Sequence, residues 1–248
     1  MRLKNYTKVK FFYLSKGHVC YNRMRMEENM GVFKLAIDGP AGSGKSTISA
    51  KVADKLGWTH IDTGAMYRAV TLQALRLKID LNDENAYRFL EDTKIIYDRN
   101  KIFLNAEDVT YEIRSDEVNA SVSLVSSFPY VRMRLVELQR KAFTSNVVMD
   151  GRDIGTTVLP GADLKIFLTA DVEERTKRRF NEELKKGKNP TIYNVEKDLL
   201  SRDLKDSSRK ESPLMIAKDA IILDTTYLTI DEVVKKIIGL IEQEEKRK

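Results

Sequence analysis

Nine consecutive residues, Gly39-Pro40-Ala41-Gly42-Ser43-Gly44-Lys45-Ser46-Thr47, restrict what this chain can fold into more than any other stretch. They match the pattern of a glycine, four residues, then Gly-Lys-Ser, which needs a strand before it and a helix after it. Both flanks comply. Residues 33–38 read as a short apolar strand, and from Ser46 to Leu56 the residues Ile48, Val52, Ala53 and Leu56 share one helical face. Glycines at 39, 42 and 44 let the backbone wrap closely around phosphate oxygens. Successive N–H groups then point into the concavity, and the helix N-terminus adds partial positive charge. Residues Gly39, Pro40, Ala41, Gly42, Ser43, Gly44, Lys45, Ser46 and Thr47 are thus expected to cradle the phosphates of a nucleoside triphosphate. Lys45 would reach the β- and γ-phosphates, and the Ser46 hydroxyl would ligate Mg²⁺.

A chain of 248 residues has room for one large domain carrying a smaller inserted one, and 42% hydrophobic content supplies a core. No apolar run approaches the length of a membrane span. The single cysteine, Cys20, excludes an internal disulfide and a cysteine-cluster metal site, as suits the cytoplasm. His18 and His60 are the only histidines, and neither is expected to take part in chemistry.

The net charge of +6 invites a nucleic-acid reading, but its distribution argues against one. Before residue 31, seven basic residues face only Glu27 and Glu28, which leaves +1 for all of residues 31–248. The body therefore offers no general polyanion face. Residues 1–30 show no sustained period and end in Met24, Met26 and Met30. They read as an extension outside the folded pattern: a targeting segment, a basic arm, or, as favoured here, sequence upstream of a true start near Met26 or Met30. They are expected to be mobile and dispensable.

Further strands are expected at 58–61, 147–150, 164–169 and 220–224, with helices between them, which makes an α/β doubly wound parallel sheet. Gly57 marks a helix C-cap. Thr229 with Glu232 makes a capping box, and Asp171 with Glu174 resembles one. Residues 83–91, 114–123, 131–143 and those from about Val195 read as helices. Residues 94–97 and 101–104, with a turn at 98–100 and a further strand over 109–113, break the alternation of strand and helix. They are expected to form an inserted antiparallel patch.

In open α/β sheets ligands sit at the carboxyl ends of strands. Asp62, Thr63 and Arg68 follow the second strand, and Gly151-Arg152-Asp153-Ile154-Gly155-Thr156 follows the third. Arg202, Asp206 and Arg209 are spaced to share a helix face. So many arginines exceed what one triphosphate needs. They point to a second anionic ligand facing the first, and so to phosphoryl transfer between two bound molecules.

With those segments in view, and with Phe128-Pro129-Tyr130-Val131-Arg132 and Gln139-Arg140 added, residues 32–240 resemble the bacterial cytidylate kinases of the nucleoside monophosphate kinase group. The glycine-rich loop is common to many families. The Asp-Thr-Gly-Ala-x-Tyr-Arg and Gly-Arg-Asp-x-Gly-Thr segments together are far more specific. The resemblance implies a P-loop kinase with a five-stranded parallel sheet flanked by helices, a core of residues 31–75 and 145–243, a small antiparallel CMP-binding insertion at about 76–144, and a helical lid at about 175–195. It implies transfer of the ATP γ-phosphoryl group to CMP or dCMP with Mg²⁺. Apart from the resemblance, a monomer is expected because no exposed apolar helix face stands out, and the charge distribution and short apolar runs predict no nucleic-acid or membrane partner. By position, Thr63, Arg68, Arg152 and Arg209 would hold the acceptor phosphate. Ser123, Arg132 and Asp153 would read cytosine, and Arg202 and Asp206 would hold the sugar. Arg175, Arg178 and Arg179 resemble lid arginines that act with Lys45 and Arg152 in catalysis. Two departures stand out: the first 30 residues lie outside the pattern, and Thr63 replaces a common serine while keeping its hydroxyl.

Overall fold

The computed structural model describes residues 31–98 and 101–247. The expectations for residues 1–30, including His18 and Cys20, lie outside these residues, as does most of the turn at 98–100. Five strands form one parallel sheet: β1 (Lys34–Asp38), β2 (Thr59–Asp62), β6 (Val147–Gly151), β7 (Leu164–Thr169) and β8 (Ile221–Asp224), in the order β2-β6-β1-β7-β8. β1 lies at the centre. Asp38 sits opposite Gly151 of β6 on one side and Phe167 of β7 on the other. The chain leaves β1 for the far edge at β2, returns to β6, then crosses to β7. This reversal opens a crevice beyond the carboxyl ends of β1 and its neighbours.

The central strands are apolar on both faces because each face meets helices. Along β1, Leu35 and Ile37 join one core cluster, shared with Ile48 and Val52 of α1 (Lys45–Leu56) and with Val233, Ile237 and Ile241 of α7 (Ile230–Glu245). Ala36 points the other way, into a cluster with Met66 and Val70 of α2 (Thr63–Arg76) and Leu135 of α4 (Pro129–Lys141). β8 is an edge strand, and its Ile221 and Ile222 are exposed.

The insertion is a three-stranded antiparallel sheet, β3 (Ile95–Asp98), β4 (Lys101–Leu104) and β5 (Glu107–Asp108), followed by α3 (Asp116–Val125). Ile95, Ile102 and Leu104 pack into the cluster that holds α2. The expected strand at 109–113 is displaced. The Asp108 carboxylate accepts from the Thr110 backbone N–H at 3.1 Å and its hydroxyl at 2.6 Å, which turns the chain after two strand residues. A 3₁₀ turn at Glu112–Arg114 follows. Residues Glu84–Glu91 likewise form a 3₁₀ rather than an α-helix. Their buried residues, Tyr87 and Leu90, are three apart, the period of that tighter helix.

The expected caps at Gly57 and Thr229–Glu232 are present. The one at Asp171 is not: its carboxylate caps nothing, and its backbone N–H donates to Thr226 Oγ1 at 3.0 Å. The remaining two helices, between β7 and β8, are α5 (Val172–Lys185) and α6 (Ile192–Ser207). α6 begins three residues before the expected Val195, because Thr191 accepts from the Asn194 N–H at 3.3 Å.

Candidate active site

The glycine-rich loop turns at the tip of β1 so tightly that its first residue has no room for a side chain. Gly39 has φ +153, and a Cβ there would lie 2.1 Å from the Leu168 carbonyl oxygen of β7. Gly39→Ala should therefore cost about 4 kcal/mol or more of stability, among the largest losses single substitutions cause. Denaturant unfolding checks this. Inside the loop, the Lys45 ammonium donates to the Pro40 carbonyl at 2.7 Å and to Ser43 Oγ at 3.4 Å. Burial pushes its pKa down to about 7, and Arg152 adds to the effect. Ser46 Oγ donates to Asp150 Oδ2 at 2.7 Å, and His60 Nε2 donates to the same carboxylate's Oδ1 at 2.7 Å. Asp150 is the penultimate residue of β6, opposite Ile37 of β1.

Lys45, Ser46 and Thr47 open onto a cleft of about 310 Å³, within the range of small-molecule sites. The same lining brings together Thr63, Arg68, Ser123, Arg132, Arg152, Asp153, Arg202, Asp206 and Arg209, all of the residues expected to bind the acceptor. The Asp206 carboxylate is shared by two arginines, with Arg152 Nε at 2.7 Å and Arg209 on the other oxygen. Burial alone would raise its pKa, but the two guanidinium groups hold it below the usual range. Arg209 lies just past the end of α6, so the expected shared helix face is completed by this ion pair rather than by helical spacing.

Arg132 and Asp153 form a second, deeply buried pair at 2.5 Å. Arg132 Nη1 also donates to the Ser126 carbonyl at 3.1 Å, and its guanidinium lies 5.4 Å from the centre of the Tyr67 ring. Asp153 Oδ1 has no hydrogen bond among the described residues. Thr63 donates its hydroxyl to the Asp150 carbonyl at 2.8 Å.

Three arginines in the cleft, Arg68, Arg114 and Arg202, make no ion pair or side-chain hydrogen bond among the described residues. Burial lowers the pKa of Arg202 to about 10, with Arg68 and Arg152 adding like charge. Burial likewise lowers that of Arg68, against the pull of Asp62. Guanidinium groups that share one cleft without ion pairs of their own are stabilised by an anion between them.

The three arginines of α5 separate. Arg179 lines the cleft, held by Glu182 and Glu183. Arg178 is bound to Glu174 at 2.8 Å and to the Thr225 carbonyl at 2.6 Å. Arg175 is buried beneath the glycine-rich loop, where it pairs with Asp203 and donates to the Ala41 carbonyl at 2.9 Å. Asp203 in turn accepts from the Ala41 N–H at 2.9 Å. Arg175→Ala should accordingly destabilise the fold by about 3 kcal/mol, the cost of stranding a largely buried carboxylate. Denaturant melts measure it.

Reading the sequence alone missed Asp150, His60 and Asp203. Asp150 sat in a strand that looked merely apolar, and the partners of all three are distant in sequence.

A loop built for a triphosphate, sharing one cleft with arginines that make no ion pair among the described residues, defines a phosphotransferase. The chain belongs to the cytidylate kinase family, whose model matches residues 35–243. It is 58% identical over 214 residues to a cytidylate kinase from Acholeplasma laidlawii, covering 86% of this chain and 96% of that one. It is 51% identical over 218 residues to one from Onion yellows phytoplasma, covering 87% and 98%. A third, from Ligilactobacillus salivarius, is 50% identical over 216 residues, covering 85% and 96%.

Proposed function

We propose that this protein transfers the γ-phosphoryl group of ATP to CMP or dCMP, giving ADP and CDP or dCDP, as a nucleoside monophosphate kinase. The observation that carries this reading is the cleft itself, lined both by Lys45 of the glycine-rich loop and by Arg68 and Arg202, which make no ion pair among the described residues. Within it, the backbone of Gly39–Thr47 and Lys45 hold the donor phosphates. Arg68, Arg152, Arg209 and Thr63 hold the acceptor phosphate, and Arg202 with Asp206 holds the sugar. An acceptor phosphate oxygen is already ionised, so the site needs no strong base. Its residues bring two polyanions together and neutralise the charge that builds between them.

The base is read by the buried pair. Asp153 Oδ1 accepts from the cytosine amine, while Arg132 and Ser123 meet the ring acceptors. Uracil would set a carbonyl against that carboxylate, and such a mismatch discriminates strongly. Ser46 and Asp150 offer a hydroxyl and a carboxylate side by side, which are hard oxygen donors suited to Mg²⁺ held jointly with substrate phosphates. When bound, the ion would neutralise phosphate charge. Arg179 is the lid arginine of this scheme, and Arg175 and Arg178 anchor α5.

Among the described residues no helix is long and apolar enough to cross a membrane. We take the enzyme to act in the cytoplasm as a monomer.

The test is a coupled ADP-release assay with MgATP and CMP, dCMP, UMP, AMP or GMP in turn, with chelator added in a parallel series. Strong turnover with the two cytidine nucleotides alone, lost on chelation, is expected. Preference for another base would overturn the roles of Ser123, Arg132 and Asp153, and no stimulation by any monophosphate would overturn the reaction.

A further inference from the structure

Asp38, the last residue of β1, is buried and takes no part in the scheme above. Its two carboxylate oxygens each accept one backbone N–H from the segment just after the neighbouring strand β6: Ile154 to Oδ1 and Gly155 to Oδ2, both at 2.8 Å. Those amides open the single wide turn Ile154–Val158 that follows Asp153. Asp153 is the residue before that turn, and its carbonyl accepts from the Thr157 and Val158 N–H groups at 2.8 and 3.1 Å. An aspartate in that position ordinarily turns its side chain onto the exposed N–H groups just ahead of it. Here it makes no such bond, and its carboxylate is directed to Arg132. Asp38 occupies the place instead. The site is closed around it: a Cβ on Gly155 would lie 3.4 Å from Asp38 Oδ2 and 3.1 Å from Lys165 Cδ.

We propose that Asp38 is a positioning residue for base recognition: by capping the Ile154–Val158 turn in place of Asp153, it frees the Asp153 carboxylate to face the acceptor base. This rests on the assignment of Asp153 to cytosine. Without the Asp38 carboxylate, Gly155 or Ile154 is left with an orphaned, buried N–H, and Asp153 is the nearest group able to satisfy it. The base reader is then withdrawn into its own turn. A side chain from the strand that carries the donor loop thereby sets acceptor specificity.

The experiment is calorimetric titration of CMP and of UMP, without ATP, into the wild type, Asp38→Asn, Asp153→Asn and the double variant. Asp38→Asn should weaken CMP binding about tenfold and move the CMP-to-UMP preference towards that of Asp153→Asn. In the double variant the Asp38 change should add little, the signature of coupled residues. MgATP affinity, measured on the same samples, should stay close to wild type, a split that general loosening of the fold would not give. If Asp38→Asn does not fold, Asp38→Glu is titrated in its place, and a partial loss of CMP preference is expected. A selective wild type with an equally selective Asp38 variant would overturn this role alone, as would log-additive losses in the double variant. A wild type that binds UMP as tightly as CMP would overturn the base assignment, and this role with it.

Discussion

Replacing Lys45 by alanine should lower kcat for CMP phosphorylation by about a thousandfold or more, with the fold intact. The size follows from what the side chain does. In the proposed mechanism it meets the phosphates where charge develops, and loss of one such stabilising group costs about 10²–10³ in rate even when it is neutral. Stability should move the other way. The folded protein holds the Lys45 proton less tightly than the unfolded chain does, since burial lowers its pKa to about 7. The charged ammonium is therefore a burden on the fold below that pH, and the burden fades as pH rises towards the ordinary lysine value. The alanine variant should gain most over wild type near pH 6, less the loss of the bond to Pro40, and the gain should shrink by pH 9. Rate assays with thermal melts at several pH values check both halves. A variant with near-normal kcat would remove Lys45 from the phosphates.

Asp153→Ala should be costly twice. Arg132 would be left charged, buried and without its carboxylate, a loss of about 3–5 kcal/mol in stability. The cytosine amine would also lose its acceptor, which should reduce kcat/KM for CMP about a hundredfold, as for a charged hydrogen bond. UMP should suffer much less, because it never gained from that carboxylate, so selectivity falls. Denaturant unfolding reads the first effect, and kcat/KM for the two nucleotides at a temperature well below the melt reads the second. Unchanged selectivity would take Asp153 out of base reading.

The sheet and the glycine-rich loop were legible in the sequence because their signals are local. Apolar strands, a loop of fixed spacing and Gly57 or Thr229 at a helix end each show within a dozen residues. Elements decided by one side chain were less so. Asp108 ended a strand early by bonding Thr110, Thr191 started α6 early, and Asp171 looked like a cap but bonds otherwise. The residues of the acceptor side were found together in one cleft, as their motifs had suggested. What the motifs did not carry was direction. Arg175, Arg178 and Arg179 lie within five residues on one helix, yet one supports the loop from beneath, one ties down the helix, and one faces the cleft. Only the packing of α5 against α6 and the loop sorts them. His60 and Asp150 were opaque for the same reason: a carboxylate near the end of an apolar strand acquires meaning only when the start of α1 brings Ser46 to it and β2 brings His60.

The adjacency of β1 and β6 has a bearing on how such an enzyme can change. The glycine-rich loop rises from one strand and the proposed base-reading turn from the next, and these two strands lie one step of a hydrogen-bonded ladder apart, about 4.8 Å. No side chain sets that span. Substitutions at the base reader can therefore redirect which nucleotide is accepted while the distance over which phosphate must travel stays the same. Choice of substrate and geometry of transfer are separable traits here, one written in replaceable side chains and the other in the backbone.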